Sequence, residues 1–264
     1  HRVSRRQRQM CIRDRLNLVD FLNKRHLKAS PTRRVWIPKP GKDEKRPLGI
    51  PTIYDRALQA LVKIGMEPEW EARFEPNSYG FRPGRSAHDA IENIYNVIHL
   101  SPKYVLDADI SKCFDRINHD ALLRKIGKTP YRRLIKQWLK SGVFDNKQFS
   151  DTVEGTPQGG IISPLLANIA LHGMEERLME FAQTLDLKNS RGFQKSKQMK
   201  CKTLNLIRYA DDFVILHKDI KVVLQAKTII QEWLNQVGLE LKPEKTRIAH
   251  TLKEYEGNKP GFDF

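Results

Sequence analysis

Cysteine is scarce in this chain: Cys11, Cys113 and Cys201 are the three in 264 residues. They lie far apart with no Cys-x-x-Cys pair, which excludes a disulfide framework and a thiolate zinc site and makes a reducing cytosol the expected setting. Long apolar runs are missing too, since none nears the roughly 20 residues that a membrane span needs. The N-terminal region lacks the apolar core of a signal peptide, and the chain has no internal repeats. Acid is the minority charge. Against 47 Lys and Arg stand 31 Asp and Glu, a net +16. That balance calls for a polyanionic partner, nucleic acid rather than membrane, because no basic amphipathic anchor stands out. Hydrophobic residues, at 39%, are too many for a disordered chain and enough for one large or two small domains.

Residues 1–15 are arginine-rich with almost no apolar periodicity. They read either as a basic arm for RNA or as translated adapter sequence foreign to the protein. The second reading is favoured, and the segment is set apart from the fold. A short helix is expected over Leu16–Leu27. The stretches Pro31–Lys42 and Lys45–Thr52 each hold a short β-like run between prolines and glycines and predict two strands joined by a basic turn. Lys39, Lys42, Lys45 and Arg46 in or beside that turn could close on a triphosphate, although a solvated charged loop has the same composition. Leu58, Leu61, Val62 and Met66 mark one face of a helix that Pro68 is expected to end.

Ser78–Arg85, SYGFRPGR, is a loop with two glycines, two aromatics and two arginines. Arg82 and Arg85 beside Tyr79 and Phe81 suit nucleic-acid contacts, or simply a packed loop. Ser86-x-x-Asp89 then opens a helix through Ile98 as a capping box. Lys103–Ile110 predicts a strand on which Asp107 and Asp109 share a face. Residues 118–141 read as helix, stopping near Gly127 and restarting at Thr129-Pro130, and 145–155 as polar loop. Gly155–Gly160, GTPQGG, leads into a long helix from Ser163 to Leu178. Residues 186–202 hold six Lys and Arg and read as an exposed, mobile basic loop. Asp219 is placed to cap a helix running to Val237 that Gly238 ends. Leu239–Lys242 would then form a strand.

The stretch that organises these pieces is Arg208–Leu216, RYADDFVIL. Asp211 and Asp212 sit between apolar runs, the pattern of a β-hairpin with carboxylates at its tip. Adjacent carboxylates repel and raise one another's pKa unless a cation neutralises them. A lone Asp-Asp is more often a polar turn. Joined with Asp109 at a strand end, a glutamine-glycine loop and upstream cations, it matches the needs of template-directed nucleotidyl transfer. There, two Mg²⁺ ions about 3.5–4 Å apart would be held by carboxylates and nucleotide phosphates.

These residues resemble a known family. Tyr209–Asp212 is similar to the YADD motif of reverse transcriptases. RPLGIPT (46–52), SYGFRPGRSAHDAI (78–91), ADISKCFD (108–115), GTPQGGIISPLLANI (155–169), RYADDFVIL (208–216) and GLELKPEKT (238–246) resemble successive blocks of group II intron-encoded reverse transcriptase/maturases, in family order over roughly residues 28–264. The resemblance implies an α+β fold, the fingers and palm of a right-hand polymerase, with an antiparallel palm sheet packed on helices and the thumb absent. Fingers would span 16–102 with 116–154 contributing, and palm 103–264, truncated before the thumb.

It further implies an RNA-directed DNA polymerase using two Mg²⁺ ions, dNTPs, an intron RNA template and a DNA primer, in the bacterial cytoplasm or in an organelle of a eukaryote. Asp109, Asp211 and Asp212 match the catalytic aspartates, and Ile110 would serve metal and nucleotide through its backbone. Phe114 matches the aromatic that crowds the sugar 2′ position, though aromatics also fill cores. Gln158 matches the glutamine of the nucleotide pocket, and Lys245 the basic residue after the hairpin. Arg46, Lys39 and Lys42 resemble the fingers cations. Arg82, Arg85 and Tyr209 would touch nucleic acid, Asp107 would be structural, and Asp115 would sit at a helix entry. The alternatives are an RNA-binding maturase that does not polymerise, or a retron, diversity-generating or CRISPR-associated reverse transcriptase.

Overall fold

A computed structural model describes residues 13, 14, 16–20, 27–38, 41, 43–146, 148–189 and 191–264. Lys39 and Lys42 lie outside the described residues. So does most of the expected helix over Leu16–Leu27, of which 16–20 is helical and Leu27 is not.

Strands β1 (Thr32–Pro38) and β2 (Lys45–Ile50) pair antiparallel, Arg33 opposite Ile50 and Pro38 opposite Lys45. Pro47 is tolerated within β2 because that strand is an edge, where a missing N–H breaks no ladder. The segment read as polar loop supplies the rest of this sheet. Strands β4 (Val143–Asp145) and β5 (Gln148–Ser150) form a small hairpin, with β4 parallel to β1. Three-residue strands carry too little alternation to be read from sequence.

The second sheet, ordered β6-β7-β3-β8, contains the acids. Its strands β3 (Tyr104–Asp109), β6 (Asn205–Tyr209), β7 (Asp212–His217) and β8 (Arg247–His250) are all antiparallel to their neighbours. The strand expected over Leu239–Lys242 is only an isolated bridge between Leu241 and Ile110. A 3₁₀ turn at Pro243–Lys245 follows, and pairing resumes at β8.

Alternation decides what each face of this sheet meets. Leu106, Ala108, Leu206, Phe213 and Ile215 turn into the main core. Helices α4 (His119–Ile126), α6 (Ser163–Leu171), α7 (Met174–Thr184) and α9 (Ile220–Gln236) line that core. Val105, Ile207, Val214 and Leu216 face the other way, onto Ala90 and Ile94 of α2 (Ala87–Ile98). The sheet is covered on both sides, so its strands are nearly continuous apolar runs broken by a few charged residues.

Helix boundaries follow local chemistry with four corrections. The Ser86–Asp89 capping box is present, and Asp219 caps α9. Helix α1 (Ile53–Glu71) runs through Pro68, its last turn held by the buried Trp70. The helix after Gly127 begins two residues later than expected, as α5 (Arg132–Leu139), because Thr129 and Pro130 form a turn whose Thr129 carbonyl accepts from the Arg132 N–H. The long helix after Ser163 breaks at His172-Gly173, where Gly173 has φ +96°. Residues 186–202 are also more ordered than expected, with a bridge between Lys188 and Gln194 and helix α8 (Lys197–Cys201). Among the described residues no helix is long and apolar enough to cross a membrane.

Candidate active site

The β6–β7 hairpin closes through a two-residue loop, Ala210-Asp211, between the paired residues Tyr209 and Asp212. Ala210 has φ +58°, the sign that two-residue hairpin turns demand and that glycine usually supplies. A side chain there costs about 1–2 kcal/mol, so the surroundings must impose the turn. Gly80 abuts it: a Cβ on Gly80 would lie 2.2 Å from the Ala210 nitrogen. Arg208, 1% exposed, braces it from inside the core. Its guanidinium donates to the Ala210 carbonyl at 2.9 Å, to Asn168 Oδ1 at 3.1 Å and to Ser78 Oγ at 2.6 Å. Asn168 in turn donates to the Gly80 carbonyl at 2.8 Å. The cue for this brace was a lone arginine inside an apolar strand, a residue that is almost never fully buried without partners.

Asp109 and Asp212 stand directly opposite one another on β3 and β7, and so on the same face of the sheet. Like charges so placed are destabilising. Asp211 at the turn is tied to the same strand end, where its carbonyl accepts from the Ile110 N–H at 3.1 Å. Burial, then the Asp109 charge, raises the Asp211 pKa. Burial, then Asp109 and Asp211, pushes Asp212 up to about 6. Two cations work against this. Lys245 Nζ lies 2.5 Å from Asp109 Oδ2, which holds the lysine pKa above its ordinary value. Arg46, from β2 of the other sheet, is near enough to lower Asp211. Among the described residues no three acidic, His or Cys side chains form a ready-made metal cage. The donor chemistry nevertheless fits a hard divalent cation: three carboxylates converge on one strand end, and two of them, Asp211 and Asp212, are raised by burial and by neighbouring carboxylate charge.

The other predicted residues fall into place around this end. Ile110 has its side chain in the core, 1% exposed, so only its main-chain carbonyl could serve a cation. Phe114, on the short helix α3 (Cys113–Arg116), packs on the core and edge-on to Phe81, ring centres 5.9 Å apart. Gln158 donates to Asp115 Oδ2 at 2.9 Å, and its carbonyl accepts from the Gly49 N–H at 2.7 Å. The GTPQGG loop is thereby tied to both α3 and β2. Asp115 thus has a partner in the loop beyond its place in α3. Asp107 is paired with Arg247 at 3.0 Å. Tyr209 is half-buried against the α2-side core.

Arg82 is a correction. It is 7% exposed, and its guanidinium is taken up by Glu71 and by the carbonyls of Glu75 and Ser78, which leaves nothing for a nucleic acid. Its function is to hold the loop that carries Gly80. Arg85 donates to the Pro76 carbonyl at 2.6 Å and lies over the Tyr79 ring. A second buried group escaped sequence reading. Glu75 Oε1 accepts from the Gly173, Glu175 and Glu176 N–H groups, anchoring the start of α7.

Residues 37–263 match the family described as reverse transcriptase (RNA-dependent DNA polymerase). The chain belongs to that family. It is 34% identical over 272 residues to the group II intron-encoded protein LtrA of Lactococcus lactis subsp. cremoris, a match covering 84% of this chain and 45% of LtrA. It is also 34% identical over 259 residues to protein YkfC of Escherichia coli K12, covering 88% of this chain and 67% of YkfC. The chain thus spans about half the length of LtrA. Among solved structures, telomerase from Candida albicans superposes with a TM-score of 0.61 at 15% identity, over 90% of this chain and 43% of that one. At that identity the likeness concerns the fold: the fingers and palm of a polymerase, α+β with an antiparallel palm sheet on helices.

Proposed function

We propose that this chain is the polymerising part of a group II intron-encoded reverse transcriptase, extending a DNA primer on an intron RNA template with dNTPs during retrohoming, and binding that RNA as a maturase. Residues 16–102, with 116–154, act as fingers and 103–264 as palm. The protein works in the bacterial cytoplasm, or in an organelle where its host is a eukaryote.

One observation carries the reading. Asp109 and Asp212 face each other across β3 and β7, with Asp211 at the adjoining turn and the cations Arg46 and Lys245 close by. Two Mg²⁺ ions held by Asp109, Asp211, Asp212 and the Ile110 carbonyl would neutralise the phosphates and lower the pKa of the primer 3′-hydroxyl. The chain's own residues do the rest. Arg46 and Lys245 bracket the place of the triphosphate, whose α-phosphorus the 3′-oxygen attacks as pyrophosphate leaves. Gln158, fixed by Asp115 and β2, shapes the floor of the nucleotide pocket, and Phe114 limits the room at the sugar 2′ position.

Primer extension on an RNA template with Mg²⁺ tests the assignment. Asp211→Asn is expected to lower the rate by at least about 10²–10³-fold, the scale of a lost electrostatic contribution to a transition state. Equal extension by both proteins would overturn the carboxylate assignment. No extension by either, with intron RNA bound by both, would favour the maturase that does not polymerise.

A further inference from the structure

At the end of the acid-bearing sheet remote from the carboxylates lies a half-open crevice of about 540 Å³. Strand β7 runs from Asp212 at the catalytic end to His217 at the crevice. Those five steps span about 17 Å at the rise of an extended strand. The two places are therefore separate, and the polymerase chemistry has no use for the second.

Four lysines line the crevice, each from a different segment: Lys103 before β3, Lys195 before α8, Lys202 after it, and Lys218 after β7. Asp219 is the one acid in the lining, and it is occupied as the cap of α9, its Oδ1 accepting from the Lys221 N–H at 2.9 Å. Lys103 is the telling residue. It is 8% exposed, yet among the described residues no hydrogen bond or ion pair ends on its ammonium, and the nearest charge acting on it is another cation, Lys218. Burial and the like charge of Lys218 both lower the Lys103 pKa, while its ammonium is not fully enclosed and is reachable from the crevice it lines. An anion entering the crevice would supply the missing partner. The lining also carries apolar side chains, the half-buried Val97 and Leu187 and the exposed Leu100, which suits a flat unit attached to the charge rather than a bare ion.

We propose that this crevice is a second RNA-binding site, which takes a short stretch of single-stranded RNA with its phosphates on Lys103, Lys195, Lys202 and Lys218 and a base on the apolar side chains of the lining. An RNA held there would be anchored to the back of the sheet while another part of it occupies the active site. The proposal rests on the reading of the chain as an RNA-binding polymerase, but its test does not require catalysis.

The test measures binding of a fluorescently labelled single-stranded RNA to the 264-residue chain by anisotropy, across a salt series. The triple variant Lys195→Gln/Lys202→Gln/Lys218→Gln is expected to raise Kd about tenfold or more and to lower the salt slope by about 2, each lost phosphate contact contributing roughly 0.7 on a single strand. A control triple at the exposed Lys128, Lys136 and Lys140 removes the same charge elsewhere. Equal weakening by both triples would reduce the effect to net charge and overturn the proposal. Competition by inorganic polyphosphate as effective as by unlabelled RNA would mark a simple anion site and overturn it too. Lys103→Met, which keeps the buried stem, should weaken binding without shifting the urea midpoint downward. The lysine variants are read by anisotropy and Asp211→Asn by primer extension, so a failed crevice assignment and a failed polymerase assignment give different results.

Discussion

At the scale of single residues, the site concentrates unfavourable charge and surrounds it with remedies. Asp212 shows the consequence most directly. Its pKa in the folded chain is about 6 against an ordinary 3.8, so between those values the folded state holds a proton that the unfolded state has released. Stability from this group is therefore greatest below about pH 4 and declines as pH rises to about 6. The carboxylate is partly exposed, so solvent screening limits the effect to about 1 kcal/mol. In EDTA, the urea midpoint of wild type relative to Asp212→Asn is expected to fall between pH 4 and pH 6.5. Mg²⁺ at pH 7 should then raise the wild-type midpoint more than that of Asp212→Asn. A pH-independent difference between the two proteins would show that the carboxylate is not strained. The acids themselves were legible in the sequence, because the Asp-Asp pair, more often a polar turn when alone, stands with Asp109 at a strand end, a glutamine-glycine loop and upstream cations. Their opposition was not, since it depends on a pairing between strands about a hundred residues apart.

At the scale of elements, the acidic hairpin is a turn that its own residues do not favour, kept in place by the loop of residues 78–85 and by Arg208. Two predictions follow from that support. Gly80→Ala places a methyl 2.2 Å from the Ala210 nitrogen. Backbone cannot yield as a flexible side chain would, so a loss of about 2–3 kcal/mol is expected, with primer extension falling as the tip is displaced. Urea denaturation and extension assays on the same preparation check both effects. Arg208→Leu strips hydrogen bonds from Asn168, Ser78 and the Ala210 carbonyl, and leaves Glu75 and Glu175 without their buried cation. Glu175 is already pushed up to about 7 by burial and by Glu75. The expected cost is about 3–5 kcal/mol. Adding Glu175→Gln should recover part of it, and a double-mutant cycle showing no coupling would count against the network. Arg82 belongs to the same support. Its sequence context, arginine beside aromatics, is shared by nucleic-acid loops and packed loops, and only the Glu71 carboxylate from α1 decided between them.

For the whole molecule, the net +16 matters through its distribution. Arg46 and Lys245 lie near the aspartates at one end of the acid-bearing sheet, while Lys103, Lys195, Lys202 and Lys218 collect at its opposite end. RNA affinity is accordingly expected to weaken by at least about tenfold between about 50 and 200 mM monovalent salt, through release of condensed counterions. Filter binding or anisotropy across that range checks it, and a flat response would mean that the basic surface is not what holds RNA.

What the sequence by itself determined is chiefly local. Strand β3, the capped helices α2 and α9 and the acidic hairpin all follow from periodicity and capping residues within a dozen or so neighbouring residues. The family resemblance extended this to the order of the blocks and the fold they imply. Tertiary structure alone decided the rest. It brought Asp109 opposite Asp212, set Lys245 on Asp109, continued α1 through Pro68, broke the helix at Gly173, built a sheet partner from residues 143–150 and buried Arg82 and Arg208. Each of these turns on a contact between residues distant in the chain, where the burial of one group or the partner of one charge outweighs local preference, and no local pattern in the sequence records which partner that will be.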